Sequence, residues 1–214
     1  MERSQLHNYQ LFSIDHIIAN NYCGLFLDMG LGKTVSVLTA LDYLLYDELE
    51  ISTALVVAPK RVVESVWQEE VENWSHLHRL KLSKVIGNEI QRIQALKTKA
   101  DVYVISRDNL VWLIEYLDGN LFFDTLVLDE LSSFKSNKSK RFKAARSIRS
   151  KMRRVIGLTG TPSSNGLMDL WAEMYLLDRG ERLERTLTMY RDMYFRPAIV
   201  NCHVVFKYEI LPGC

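Results

Sequence analysis

The sequence predicts an α/β domain of three layers, in which a mostly parallel central sheet lies between two layers of helices. The main observation is that short apolar runs alternate with segments of helical periodicity along most of the 214 residues. This order is typical of a parallel sheet that is covered on both faces. Two further observations agree with it: a glycine-containing turn at 28–34 joins a strand to a helix, and two acids at 129–130 end a later strand.

The predicted strands are short runs rich in apolar and β-branched residues. They lie at 24–28, 53–58, 80–87, 101–106, 123–130 and 153–162. Helices are predicted where apolar residues recur every three or four positions, at 33–46, 61–74 and 166–177. A seventh candidate strand, HVVFKYEIL, has no helix after it. We therefore expect the last residues of the chain to be the beginning of a segment that is cut short.

Composition places the chain among ordinary globular proteins, with 48% hydrophobic and 25% charged residues and a net charge of +1. Cys23, Cys202 and Cys214 show neither metal-ligand spacing nor an even disulfide set, which favours a reducing, intracellular setting. The N-terminus has no apolar signal core, and no apolar run is long enough to span a bilayer. We therefore expect a cytoplasmic protein without a membrane partner.

The turn DMGLGKT, here called the phosphate loop (28–34), is predicted to bind phosphate groups. Gly32, Lys33 and Thr34 fit the pattern G-x-x-x-x-G-K-[ST], although Leu27 stands where the first glycine is usual. Glycines let backbone N–H groups turn toward an anion at the N-terminus of the next helix. Lys33 can reach the β- and γ-phosphates, and the Thr34 hydroxyl can bind Mg²⁺. A glycine turn that only caps a helix is the alternative, which this strand–turn–helix context disfavours.

The acid pair Asp129–Glu130 follows the run TLVL at the carboxyl end of a predicted strand. Ligands of open parallel sheets bind outside that edge. Asp129 is therefore predicted to hold Mg²⁺ through water, and Glu130 to orient and deprotonate an attacking water molecule. Taken without the phosphate loop, the pair could equally be two surface acids at the opening of a loop.

Cations and small polar residues follow other strands. The basic run (135–154) contains ten Lys or Arg and no acid, so it could contact a nucleic-acid backbone or form a solvated helix face. Lys60 and Arg61 end another strand, where they could bind phosphates or be solvated. The threonine loop (157–162), GLTGTP, offers hydroxyls and a flexible glycine, but it could also be an ordinary turn.

Together these motifs resemble those of the first RecA-like lobe of superfamily-two helicases, and more narrowly the Swi/Snf-type DNA-dependent ATPases in the short form of phages and bacteria. The motifs are DMGLGKT, VVAPKRVVESVWQEEVENW, YVISRDNL, LDELSSFKS and GLTGTPSSNGLMDLW. The resemblance implies a P-loop NTPase lobe of RecA-like fold over 1–190 and the truncated start of an inter-lobe segment over 191–214. It implies a bacterial or phage-infected host cell, and a loop that does not need a glycine at position 27.

The resemblance also implies ATP and Mg²⁺ as cofactors and double-stranded DNA as a partner. Gln10 would read the adenine base, and the catalytic residues would be Lys33, Asp129 and Glu130. The triphosphate would lie on Met29, Gly30, Leu31, Gly32, Lys33 and Thr34, and Mg²⁺ on Thr34 and Asp129. DNA contact and coupling to nucleotide state would fall to Lys60, Arg61, Arg107, Thr159, Gly160 and Thr161. DELS replaces the usual DEAD or DEAH, so the way in which Leu131 and Ser132 couple to the next loop stays open.

One part of the family pattern has no counterpart, because nothing after residue 162 resembles a second RecA-like lobe with an arginine finger. Such a finger contributes about 10³–10⁵ in rate. We therefore expect weak binding and slow hydrolysis of ATP by this chain alone, with the second lobe supplied by a longer product or another chain. Two alternatives are a truncated, nearly inactive nucleotide- or DNA-binding module and a small-molecule P-loop kinase. The kinase is disfavoured because Glu130 beside Asp129 suits water activation and no lid-like arginine cluster follows.

Overall fold

The computed structural model describes residues 1–162, 166–201 and 204–212. Cys202, Cys214 and residues 163–165 lie outside this part of the chain. Six strands form a central sheet: β1 (Tyr22–Phe26), β2 (Ala54–Ala58), β3 (Leu82–Val85), β4 (Val102–Ser106), β5 (Thr125–Asp129) and β6 (Arg154–Thr159). Two further strands, β7 (Phe195–Asn201) and β8 (Val204–Ile210), pair antiparallel as a separate hairpin.

Eight α-helices occur in the described ranges. They are α1 (Asn8–Ala19), α2 (Lys33–Tyr46), α3 (Trp67–Asn73), α4 (Glu89–Lys97), α5 (Leu110–Leu117), α6 (Lys140–Arg149), α7 (Leu167–Asp178) and α8 (Leu187–Tyr194). Short 3₁₀ turns follow β4 and β5, at Arg107–Asn109 and Leu131–Phe134. None of the described helices combines the length and the apolar character that crossing a bilayer requires.

The central sheet has the strand order β1-β6-β5-β2-β4-β3, and every neighbouring pair is parallel. All six carboxyl ends therefore meet at one edge. In the register of the sheet, Phe26 lies beside Thr159, and Asp129 lies beside Leu158. The predicted three-layer α/β fold is confirmed, and the first strand, the acid-bearing strand and the threonine-bearing strand are neighbours within it.

Both faces of the sheet are buried because alternate residues of each strand point to opposite faces. In β2, Val56 belongs to a core with the helices α1, α2 and α3, whereas Leu55 and Val57 belong to a core with α5, α6 and α7. The largest fully buried side chains include Trp67 in the first core and Phe142 in the second. These two cores hold the loops at the carboxyl edge on a rigid base.

Three predicted elements differ from the observed ones. The first strand ends at Phe26 because Leu27 and Asp28 turn away and give their carbonyl oxygens to Lys33. The helix predicted over 61–74 begins as a π-helical turn, Val62–Val66, and becomes α-helical only at Trp67. The last candidate strand is β8, which belongs to the hairpin and does not extend the parallel sheet.

Candidate nucleotide-binding site

Apart from Gln10 on α1, the predicted site residues lie at or just after the carboxyl ends of five strands of the sheet. Because β1, β6 and β5 are adjacent, the phosphate loop, the threonine loop and the acid pair lie side by side. The cations that follow β2 and β4 lie farther along the same edge. The structure thus brings together residues that are up to about 130 positions apart in the chain, as expected for ligand sites of parallel sheets.

The phosphate loop turns sharply into α2 through left-handed glycines, with φ values of +81° at Gly30 and +70° at Gly32. Among the described residues, no side chain caps the first turn of α2. Its N–H groups, including that of Thr34, are therefore oriented as donors at the positive end of a helix dipole. Met29 is 84% exposed at the outer side of this turn, beside the half-buried Leu31.

The ammonium group of Lys33 lies over the phosphate loop. It donates hydrogen bonds to the carbonyl oxygens of Leu27 over 2.6 Å and Asp28 over 2.9 Å. The cation is thus held beside the uncapped helix terminus by acceptors that carry no net charge. An anion with several oxygens at this position would offer stronger, charge-assisted hydrogen bonds.

Gln10 lies against the same loop from α1 and is 5% exposed. Its Oε1 accepts a hydrogen bond from the backbone N–H of His7 over 2.9 Å, so the side chain is fixed as a cap of its own helix. A Cβ atom at position 32 would lie only 2.1 Å from Nε2 of Gln10. The positive φ of Gly32 therefore favours glycine, and a Cβ atom there would also require the Gln10 amide to shift.

Asp129 ends β5 and faces the indole of Trp67, whose Nε1 donates to Oδ2 over 3.1 Å. Burial raises the pKa of Asp129 above its ordinary value, and the nearby Glu130 adds to this effect. The Trp67 hydrogen bond and the positive charge of Lys33 act in the opposite direction. The side chain is therefore a fixed carboxylate acceptor that a nearby cation would help to keep ionised.

Glu130 has a left-handed backbone, with φ of +64°, which is uncommon for a residue other than glycine. Its Oε1 accepts hydrogen bonds from the hydroxyls of Ser132 and, over 3.4 Å, Thr159. The backbone N–H of Thr161 in turn donates to the Thr159 hydroxyl over 3.1 Å. One carboxylate oxygen of Glu130 is thus tied to both the DELS turn and the threonine loop.

The threonine loop also contacts the phosphate loop. A Cβ atom at Gly160 would lie 3.3 Å from the carbonyl oxygen of Leu27 and 3.5 Å from the backbone nitrogen of Met29. The Leu131 side chain occupies the space over Gly157, where a Cβ atom would lie 2.8 Å from it. Leu131 and Ser132 therefore connect the acid pair to the threonine loop by packing and by a shared carboxylate.

The predicted cations do not reach this cluster. Lys60 is exposed and lies 3.8 Å from Glu64, while Arg61 is exposed and Arg107 is half-buried. The basic run contains both exposed and buried cations. Lys135 lies near Asp169, whereas Arg149 and Arg154 are buried and donate to backbone carbonyl oxygens of other elements.

The sequence motifs alone assign no role to two residues near the site. Trp67 lies in the motif VVAPKRVVESVWQEEVENW, but there it is one position of a helical repeat, and only its place after Pro59 could have suggested a link to the carboxyl edge. Glu173 lies in the apolar repeat of α7 and is fully buried. The sequence shows only that an acidic residue stands in the largely apolar repeat of this helix.

The donors and charges of the cluster fit a nucleotide with Mg²⁺. Uncapped N–H groups and the Lys33 ammonium form an anion site, and the Asp129 carboxylate supplies the hard oxygen ligand that Mg²⁺ prefers. Glu130 offers a second carboxylate that hydrogen bonds hold in place. This arrangement can position a phosphate chain and a water molecule next to each other.

Comparison with known proteins gives a consistent result. The family model of the SNF2-related domain matches residues 9–198. A putative protein p41 of Acyrthosiphon pisum secondary endosymbiont phage 1 is 41% identical over 194 residues, covering 88% of this chain and 42% of the relative. Helicase SWR1 of Mycosarcoma maydis is 34% identical over 183 residues, covering 82% of this chain and 10% of the relative.

The fold comparison gives the same family. The solved structure described as the Sulfolobus solfataricus SWI2/SNF2 ATPase core in complex with dsDNA is similar with a TM-score of 0.74 and 25% identity. The match covers 89% of this chain and 39% of that structure's chain. The chain thus spans less than half the length of these relatives.

Proposed function

Since this chain belongs to the SNF2-related domain family, we propose that it is the ATP-binding and ATP-hydrolysing lobe of a DNA-dependent, helicase-like translocase. The supporting observation is the contact of three loops at one sheet edge: the phosphate loop, the acid pair and the threonine loop. We assign the lobe to 1–190 and the start of an inter-lobe segment to 191–214. The phage relative favours a bacterial or phage-infected host cell as the setting.

ATP with Mg²⁺ supplies a γ-phosphoryl group that water can attack. In our proposal Lys33 exchanges its bonds to the Leu27 and Asp28 carbonyl oxygens for phosphate oxygens. The N–H groups from Met29 to Thr34 bind the rest of the triphosphate. Thr34 and Asp129 hold the metal ion, and the Gln10 amide reads the adenine base.

Glu130 is the group to which we assign the attacking water. Its Oε1 already accepts two hydroxyl hydrogen bonds, so we assign Oε2 to accept a proton from the water. Thr159 bonds to the same carboxylate, and Gly160 contacts the phosphate loop. Any displacement of the threonine loop would therefore move the base relative to the phosphates, which supports its role in coupling.

DNA is the partner that the family and the dsDNA-bound neighbour suggest. We propose that Lys60, Arg61 and Arg107 contact its phosphates from the far part of the carboxyl edge, next to β5 in the sheet order. The exposed lysines of the basic run, Lys138, Lys140 and Lys143, extend this surface. Arg149 and Arg154 are excluded from it because both are buried.

We further propose that fast turnover requires a second RecA-like lobe, in the same product or in another chain, because the family resemblance implies an arginine finger supplied by that lobe. Motion would then come from two lobes that close on ATP and reopen after hydrolysis. The competing proposal is a nearly inactive module that binds nucleotide or DNA without turnover. The two differ in their response to an added lobe.

The test is steady-state ATP hydrolysis by the full chain, with and without duplex DNA and with the part of the phage relative that the match does not cover added in trans. We expect slow turnover that DNA and the added lobe stimulate, and its loss in Glu130→Gln. Glu115→Gln, which changes an exposed glutamate, is the matched control. Turnover that stays absent under all conditions, or that is equal in Glu130→Gln and the parent, would favour the inactive module.

A further inference from the structure

Glu173 is a fully buried carboxyl group on α7 that the proposed mechanism does not use. Among the described residues, neither of its oxygens has a hydrogen-bond partner. Oγ of Ser133 shares this condition, whereas Oδ2 of Asp169 has no hydrogen bond but forms an ion pair with Lys135. Its helix, α7, packs against the Leu131–Phe134 turn, which begins directly after the proposed base Glu130, and the charge of Glu130 acts on Glu173.

The charges around Glu173 do not balance if it is ionised. Asp169 lies one helical turn before it on α7, and Lys135 Nζ lies 3.5 Å from Oδ2 of Asp169. One cation therefore faces one anion before Glu173 is counted. The charged groups that act on Glu173 are Asp169 on its own helix, Lys135 after the 3₁₀ turn, and Glu130 at the end of β5.

These surroundings favour the neutral form of Glu173. Burial raises its pKa to about 7, with the negative charges of Asp169 and Glu130 adding to the effect and Lys135 opposing it. A protonated carboxyl group can donate a hydrogen bond, and the Asp169 carboxylate, one helical turn away, is a possible acceptor. Ionised Glu173 would instead compete with Asp169 for Lys135 and would add a negative charge behind Glu130.

We propose that Glu173 is a positioning residue for Glu130: its neutral form supports the turn that carries the base, and its ionised form displaces that turn through Lys135 and repels the base. This rests on the proposed function, in which Glu130 orients water. Coulombic coupling is reciprocal, so a field of Glu130 on Glu173 implies an equal field of Glu173 on Glu130. As pH rises and Glu173 ionises, Glu130 therefore leaves the position in which it orients water.

The direct test is a ¹³C NMR titration of the nucleotide-free full chain, labelled at the glutamate side-chain carboxyl carbons. The Glu173 and Glu130 signals are assigned by their absence in Glu173→Gln and Glu130→Gln. We expect Glu173 to titrate near pH 7, and the Glu130 signal to shift at the same pH by an amount that Glu173→Gln abolishes. A Glu173 midpoint below pH 5, or a Glu130 signal unaffected by Glu173→Gln, would overturn the proposal.

Thermal unfolding gives a readout that does not need nucleotide. In the unfolded chain Glu173 has its ordinary pKa of 4.5, so between that value and about 7 the folded protein keeps a proton that the unfolded chain has lost. The parent therefore loses stability as pH rises through this window, whereas Glu173→Gln does not. We expect equal melting temperatures at pH 4.5 and a Glu173→Gln melting temperature higher by about 5 °C or more at pH 8. Equal values at both pH values would contradict this.

Nucleotide measurements separate this proposal from the proposed function. Between pH 6 and pH 8.5, we expect turnover or Mg²⁺–ATP affinity of the parent to fall about three- to tenfold. In Glu173→Gln the same quantity should not change with pH. Glu181→Gln, which changes an exposed glutamate eight positions further along the chain, should keep the pH profile of the parent. A parent that binds ATP with an unchanged profile in Glu173→Gln would overturn the positioning role alone, whereas a parent that binds no nucleotide at any pH would overturn the proposed function.

Discussion

The indole of Trp67 and the carboxylate of Asp129 form a hydrogen bond of 3.1 Å between residues 62 positions apart. Trp67 is fully buried, and its Nε1–H is directed at the oxygen that we assign to Mg²⁺ through water. The bond connects the first residue of α3 to the last residue of β5. A core residue of α3 thereby fixes the orientation of the side chain at the end of β5 that we assign to Mg²⁺, as outer-shell partners do in metal sites.

We predict that Trp67→Phe weakens Mg²⁺–ATP binding about tenfold, because outer-shell partners typically contribute 10- to 100-fold to metal affinity. The smaller ring keeps most of the packing, so the free energy of unfolding should fall by only about 1–2 kcal/mol. Calorimetric titration and urea unfolding measure the two effects.

Trp74→Phe is a matched control for this change. Trp74 is also buried, and its Nε1 donates to a carboxylate oxygen of Glu70 over 2.9 Å, away from the site. It should lose similar stability and keep the parent's affinity. Equal affinity in Trp67→Phe and Trp74→Phe would show that the Asp129 contact does not matter for binding.

Gly30 and Gly32 allow a test of close approach against backbone strain. Both have positive φ, but a Cβ atom at Gly30 would have no described heavy atom within 4 Å, whereas one at Gly32 would meet Gln10 Nε2 at 2.1 Å. Gly30→Ala should therefore cost about 1 kcal/mol in unfolding free energy, and Gly32→Ala more than that, with loss of nucleotide binding.

The contact with Gln10 can be isolated by a double-mutant cycle on unfolding free energy. Gln10→Ala removes the amide that position 32 would meet, so it should recover part of the stability that Gly32→Ala loses. Strictly additive losses would mean that strain at φ of +70° is the whole effect.

Arg154 tests which part of the basic run is structural. It is 3% exposed, lies 2.8 Å from Glu50, and donates to the carbonyl oxygens of Ile17 and Ile18. Arg154→Met should lower the free energy of unfolding by about 3–5 kcal/mol, because it leaves these acceptors without their donor. Chemical denaturation measures the change.

Its neighbour Arg153 is exposed and provides the control. Arg153→Met should change stability by less than about 0.5 kcal/mol. If the two variants were equally stable, Arg154 would have no structural role, and the whole basic run would be a solvated face.

The fold could be predicted from the sequence because local signals agree with one another. The run TLVLDE combines a buried strand with acids at its carboxyl end, and GLGKT combines left-handed glycines with a helix start. Each such signal is contained in a few consecutive residues. The neighbouring positions of these loops then follow from parallel strand order.

The contacts that refine the site could not be predicted in the same way. The bond between Trp67 and Asp129, the approach of Gln10 to Gly32 and the burial of Glu173 all depend on how separate elements pack. A helical repeat shows that Trp67 and Glu173 can face a core, but it does not show which polar atoms lie there. Likewise, the charge of the basic run did not reveal that Arg154 pairs with Glu50.

The central claim is that the phosphate loop binds a nucleotide through Lys33, and calorimetric titration of the full chain with ATP and Mg²⁺ tests it most directly. We expect magnesium-dependent binding by the parent and a loss of about 30- to 150-fold in Lys33→Ala, consistent with the removal of a charge-assisted contact worth about 2–3 kcal/mol. Lys151→Ala, which removes another lysine that donates to a backbone carbonyl oxygen, should bind like the parent. Folded parent protein that takes up no ATP, or Lys33→Ala that binds as the parent does, would contradict the account.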